Sequence, residues 1–252
     1  MRVVYGMNPV RELLRSGAEG VTELWLAEGS DRPRAFGDLE RAARDLGAKV
    51  RAAPRARLDR LAGVTQHQGI VAVVADYRYR ELEELLATAA ASGRPPLLVL
   101  LDGVEDPHNL GAIVRSAHAL GAHGVVLPRD RAAGVTPSAA KASAGAVEHM
   151  GIARVTNLVR CIEELREAGL WTVAAVPDGD QLLASVDLRG PTALVLGGEG
   201  QGIRPLVRKN CDHAVRIPML GRVGSLNASA AAAIVLYEAT RQRGESTGKI
   251  PP

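Results

Sequence analysis

Aromatic residues are scarce: the 252-residue chain holds one Phe, two Trp and four Tyr, 3% of the sequence. They form no interleaved stripe, which excludes the stacking platforms on which common single-strand readers lay bases. Cysteine is nearly absent. Cys161 and Cys211 cannot build a disulfide framework, and neither belongs to a Cys-x-x-Cys pair. Long apolar runs are missing too: the longest, Ala230 to Tyr237, has eight residues, against the roughly 18 needed to cross a bilayer. The opening Met1-Arg2-Val3-Val4-Tyr5-Gly6 carries no apolar export segment. The histidines at 67, 108, 118, 123, 149 and 213 lack ligand spacing, so no metal is expected. No G-x-S-x-G nucleophile elbow occurs. The expectation is a cytoplasmic protein without membrane or metal.

What is present is the composition of a folded chain, 46% apolar and 23% charged, long enough for one large or two small domains. The net charge of +3 is unevenly spread, because residues 1–80 hold 14 Lys/Arg against 10 Asp/Glu. Lys49, Arg51, Arg55, Arg57 and Arg60 crowd together opposed by Asp59 alone. Such a cluster can neutralise RNA phosphates; a solvated face of an arginine-rich protein is the plainer alternative.

Residues 1–75 read as a small α/β unit. A helix is expected from Asn8-Pro9, strands at 23–27 and 70–74, and a helix over 39–46 that stops at Gly47. Residues 76–96 read as a linker with a short helix around Leu82, Leu85 and Leu86, ending at Pro95-Pro96. From Leu97 the rhythm changes. Continuous apolar runs at 97–101, 124–127, 171–176 and 193–196, with a shorter one at 215–217, suit strands covered on both faces. Helical patterns at 110–120, 158–168 and 226–241 complete an α/β domain over 97–245, with a parallel sheet and helices on both faces. A flexible tail is expected over 246–252.

Three segments could carry chemistry. In the first, a buried strand runs through Asp102 and Asp106-Pro107-His108-Asn109 into a helix. Ligands of α/β sheets sit beyond such strand ends. Asn109 stands where a helix N-cap would, and Arg115 lies about 140° from the apolar stripe begun by Leu110. A cap and a solvated arginine would explain both. The second, Leu196-Gly197-Gly198-Glu199-Gly200-Gln201-Gly202, places four glycines in six residues after a buried strand. Such a loop lets a ligand approach backbone, but its spacing is not G-x-G-x-x-G, and Glu199 is ill placed beside a pyrophosphate. In the third, Ile217-Pro218-Met219 leads through a glycine-bearing loop to Ser225-Leu226-Asn227, where Ser225 or Asn227 would cap the last helix.

Together, the stretch from Asp106 to Arg115, Gly197-Gly198-Glu199-Gly200, and Ile217-Pro218-Met219 with Ser225-Leu226-Asn227 resemble the three signature motifs of the SpoU/TrmH family of RNA ribose 2′-O-methyltransferases, within the SPOUT superfamily. Tyr5-Gly6-Met7-Asn8-Pro9 and His67-Gln68-Gly69-Ile70 resemble the L30e-like substrate-binding module of its RlmB-type branch. Relatives with the same module include resistance enzymes acting on 23S RNA, while transfer-RNA enzymes usually lack it. The resemblance implies S-adenosylmethionine held in a trefoil knot, a homodimer, and methylation of a guanosine ribose in the peptidyl-transferase region of 23S rRNA. It further implies that Arg115 acts on the ribose 2′-hydroxyl and that Asn109 orients Arg115 or the ribose. Glu199, Ser225 and Asn227 would complete the polar site. Cofactor would lie against Leu196, Gly197, Gly198, Gly200, Ile217, Met219 and Leu226. Arg51, Arg55, Arg57 and Arg60 would meet RNA. Arginine is protonated essentially always, so stabilising the developing alkoxide and gripping the adjacent phosphate suits Arg115 better than acting as a base.

Overall fold

The computed structural model describes residues 1–17, 20–29 and 35–244; the expected tail lies outside the described residues. The chain opens with β1 (Arg2–Tyr5), α1 (Met7–Arg15), β2 (Val21–Ala27), α2 (Ala35–Asp45), β3 (Lys49–Ala53), α3 (Arg55–Ala62) and β4 (Ile70–Val74). These build a four-stranded sheet of order β1-β4-β2-β3, with β4 antiparallel to both neighbours and β2 parallel to β3. Leu13, Leu24, Leu26, Phe36 and Leu39 fill one side of the sheet, Trp25, Leu58 and Val71 the other. The basic stretch is thus an edge strand and a helix. Its apolar positions are few because most of the strand faces water.

α4 (Leu82–Ala91) lies in the stretch expected as a linker, yet Leu82 and Leu85 are buried with Leu98 and Leu100 of the second sheet. A helix carrying a leucine face must bury it somewhere, and the nearest apolar surface is that sheet. There follow β5 (Leu97–Asp102), α5 (Pro107–Ala119), β6 (Gly124–Pro128), α6 (Pro137–Ala142), β7 (Ile152–Val155), α7 (Leu158–Glu167), β8 (Trp171–Ala175), β9 (Gln181–Leu182), β10 (Thr192–Gly197), α8 (Pro205–Lys209), β11 (His213–Arg216) and α9 (Ala228–Gly244). The seven strands are all parallel, in the order β7-β6-β5-β10-β8-β11-β9. Helices α5 and α9 cover one face, α4 and α7 the other. Both faces being covered, β5 is buried at every residue, as its unbroken apolar run requires. Among the described residues no helix is long and apolar enough to cross a membrane.

The two sheets are joined through side chains. Arg2 grips Glu148 with two hydrogen bonds of 2.8 and 2.6 Å, and the Glu148 side chain is only 3% exposed. Lys141 Nζ donates to the Gln66 carbonyl at 2.8 Å.

Candidate active site

The site forms where β5 and β10 end side by side. Asp102 closes β5 almost wholly buried. Its Oδ1 accepts from Arg204 Nε at 2.8 Å and its Oδ2 from the Arg204 amide at 2.8 Å. The Gly198 amide donates to the Asp102 carbonyl at 2.9 Å. A Cβ on Gly198 would fall 1.8 Å from the Gly103 oxygen, so only glycine lets these two neighbouring backbones come this close.

Asn109 is not the N-cap of α5. Asp106 is, its Oδ1 accepting from the His108 amide at 2.9 Å; Pro107, which lacks an N–H, suits the first helical position. This frees the Asn109 side chain, which points to the glycine loop. Asn109 Nδ2 donates to Glu199 Oε1 at 3.0 Å, and Asn227 Nδ2 donates to Asn109 Oδ1 at 3.0 Å and also to Glu199 Oε1. Asn227, not Ser225, caps α9: its Oδ1 accepts from the Ser229 amide at 2.8 Å and from the Ser229 hydroxyl at 2.6 Å. One residue from each of the three motifs therefore meets in a single network. Both amides use Oε1 of Glu199, and among the described residues no hydrogen bond engages Oε2.

Two cavities flank this loop and share Gly198, Glu199, Gly200, Gln201, Gly202 and Ala228 in their walls. The first, about 560 Å³, is polar and lies beyond β5 and β6, ringed by Asp102, Glu105, Asp106, Asp130 and Glu199, with Arg131 and Arg204 as its cations. The second, about 320 Å³, lies beyond β8, β10 and β11; it is walled by Val176, Leu196, Ile217, Met219 and Leu226 and by glycine backbone, with Ser225 at its edge. Apolar walls beside exposed backbone amides and carbonyls fit a planar heterocycle on a polar tail, as S-adenosylmethionine has.

All the residues expected to hold cofactor line this second cavity. Arg115 stands apart: it is exposed on α5, lines neither cavity, and makes no hydrogen bond to Asn109, whose amide is taken by Glu199 and Asn227. Of the four expected RNA-binding arginines, all exposed, Arg51 pairs with Glu23 at 3.2 Å. Arg51 and Arg57 lie over the Trp25 ring, their Cζ atoms 5.3 and 4.5 Å from its centroid. Arg60 Nε donates to the Ala56 carbonyl at 3.2 Å, and Arg55 opens α3. The Asp102–Arg204 pair and the Asp130-Arg131 loop were not expected. A carboxylate closing a fully apolar strand was the available signal, since a buried charge needs a partner.

The sequence matches the SpoU rRNA Methylase family over residues 96–237 and the RNA 2′-O ribose methyltransferase substrate binding family over residues 3–80. The chain belongs to the SpoU rRNA methylase family. It is 44% identical over 240 residues to the TrmH family tRNA/rRNA methyltransferase YacO of Bacillus subtilis, covering 95% of each chain. The SpoU methyltransferase AviRb of Streptomyces viridochromogenes, solved with AdoMet, superposes with a TM-score of 0.81 at 30% identity, over 97% of this chain and 91% of that one. An AdoMet-bound rRNA methyltransferase of Sinorhizobium meliloti gives 0.79 at 26% identity, over 95% and 87%. This chain is accordingly a SpoU RNA methyltransferase that takes its methyl group from S-adenosylmethionine and transfers it to a ribose 2′-oxygen of tRNA or rRNA.

Proposed function

We propose that the apolar cavity holds S-adenosylmethionine and the polar cavity the acceptor nucleotide, with the Asn109–Glu199–Asn227 network forming the wall between them. That network carries the reading: three distant segments converge on one carboxylate placed between an apolar and a polar space. When bound, the cofactor supplies a methyl group on a sulfonium, an electrophile that needs no Lewis acid. The chain's own task is to hold the 2′-oxygen in line, which can lower the barrier by several kcal/mol. Glu199, its Oε1 fixed by two amides, keeps Oε2 to accept from the 2′-hydroxyl. The close approach of Gly198 to Gly103 supports the cradle at 197–200, and the trefoil threading rests on the family resemblance.

The acceptor is a guanosine of 23S rRNA in the peptidyl-transferase region, and Arg55, Arg57 and Arg60 of the first domain hold the RNA backbone. The enzyme works as a homodimer. Ile234 and Tyr237 of α9 are 39% and 60% exposed. Hydrogen bonds from Asn227 to Asn109 and from Thr240 Oγ1 to the Leu120 carbonyl set α9 beside α5, so Arg115 stands at the level of Ile234. A second copy covering those apolar groups brings its own Arg115 toward this copy's polar cavity, there to stabilise the developing alkoxide. Mapping 2′-O-methyl nucleotides in rRNA and tRNA of a deletion strain tests the substrate. A missing mark in tRNA with 23S rRNA intact would refute it. Light scattering at micromolar concentration tests the dimer, and a monomer that methylates RNA at full rate would leave Arg115 without a role.

A further inference from the structure

One wall of the polar cavity is the segment between β6 and α6, and its backbone is pinned at three points. The Arg129 amide donates to the Val155 carbonyl at 2.9 Å, and the Ala133 amide donates to the Val104 carbonyl at 2.8 Å. The Val135 amide donates to the Tyr79 hydroxyl at 2.9 Å. Tyr79 is itself held, with its ring 4.2 Å from the Arg154 guanidinium carbon and 5.2 Å from the Tyr77 ring. Between these pins Arg131 has φ of 54°. Left-handed backbone is unfavourable for a residue with a Cβ, and it persists only where the surroundings over-determine it, commonly at ligand sites.

Arg131 is exposed in the wall of a cavity ringed by five carboxylates. Of the two arginines there, Arg204 is committed to Asp102. Among the described residues Arg131 has no carboxylate partner. Every internal ribose of RNA brings a 3′-phosphodiester beside its 2′-hydroxyl, so an acceptor cannot enter this cavity without delivering an anion to an acidic wall. A cation must offset that repulsion.

We propose that Arg131 is a phosphate-binding residue that this copy itself supplies to the acceptor site: its guanidinium takes the phosphate 3′ to the methylated ribose. Tyr79, acting through the Val135 amide, is a positioning residue that holds the loop in the strained form presenting it. The inference rests on the acceptor reading of the polar cavity given above.

The test uses the full chain and an in vitro RNA transcript that the wild type methylates. Arg131→Gly raises KM for RNA about tenfold and leaves kcat at saturating RNA and cofactor affinity within twofold. It also flattens the slope of log binding against log salt by roughly 0.7 to 0.9, the loss of one phosphate contact. Its melting temperature does not fall, because glycine accepts the left-handed backbone. Arg131→Lys keeps the slope and most of the affinity, since it keeps the charge. Tyr79→Phe moves KM in the same direction by a few-fold, again without touching kcat. Wild-type KM and salt slope in Arg131→Gly would overturn the inference, as would a lowered melting temperature with parallel loss of cofactor binding. Wild-type turnover in Glu199→Gln would instead remove the acceptor reading of the cavity, and the inference with it.

Discussion

The two ends of the parallel sheet use their polar groups in opposite ways. At the end where strands enter, the polar side chains of Arg243 and His123 are consumed by the fold. Arg243 donates to the carbonyls of Leu188, Pro95, Pro96 and Gly190 at 2.5 to 3.1 Å. Burial and the neighbouring Arg94 push its guanidinium down to about 10. His123 is engaged at both nitrogens, with the Leu97 amide at 3.0 Å and the Ser92 hydroxyl at 2.9 Å. At the end where strands leave, neither Glu199 Oε2 nor the Arg131 guanidinium has a hydrogen-bond or carboxylate partner among the described residues, and both residues line the polar cavity. Polar groups held in reserve cost stability; those at the entering end supply it. The difference separates catalysis from folding along the strand direction, as expected for open α/β sheets.

Four substitutions break or sharpen this contrast. The largest effect falls at the leaving end: Asn109→Ala or Glu199→Gln lowers kcat by roughly 100- to 1,000-fold, the usual loss for one fixed polar group at a reacting centre. Cofactor affinity, read by titration calorimetry, stays within twofold. At the entering end, Arg243→Met strands four carbonyls and costs about 3 kcal/mol of stability, measured by urea unfolding. Its kcat per folded molecule is unchanged; a parallel fall in both would erase the contrast. Leu226→Asp sets a charge against the apolar cavity and weakens cofactor binding by about 2 kcal/mol, roughly 30-fold. RNA affinity measured without cofactor is unaffected.

The smallest effect is one of pH. Burial, then Arg94, holds the His123 imidazole below its ordinary value, and burial, then His149, does the same at His118. Both groups are neutral in the fold and protonate more readily once unfolded. Their contribution is therefore complete above the unfolded value of about 6.5 and is lost as pH falls through the lower folded values. Melting temperature should decline on acidification from pH 7 to 5, and less steeply in His123→Asn. Equal slopes in the two proteins would put the dependence elsewhere.

Much of this arrangement was legible in the chain. The strands β5, β6, β8 and β10 announce themselves because their central residues are buried on both faces, leaving polar residues few and mostly at their ends. β3 and β9 do not, because their residues are mostly exposed. Asn109, Glu199 and Asn227 stood out as polar residues beside strand ends and caps, yet their mutual bonding depends on which strands lie together. The cap of α5 was misplaced onto Asn109 because several polar residues precede the apolar stripe, and Pro107 decides among them only through its missing N–H. The Tyr79–Val135 and Asp102–Arg204 contacts join distant stretches; Asp102 at the end of an apolar strand signals that a partner exists, but no local pattern says which residue it is. Arg115 was named by motif, and its surroundings are those of a helix face still open to water.

The position of β10 has a consequence for how the protein is made. It lies between β5 and β8, both of which precede it in the chain. A nascent polypeptide thus leaves the ribosome exit with a gap in its sheet and two bare strand edges, which stay unpaired until residue 197 has emerged. Unpaired edges invite association with other chains, and pairings so distant along the sequence form slowly. Synthesis of this enzyme should lean on holdase chaperones late in elongation, and yield on heterologous expression should respond to growth temperature more than to codon choice.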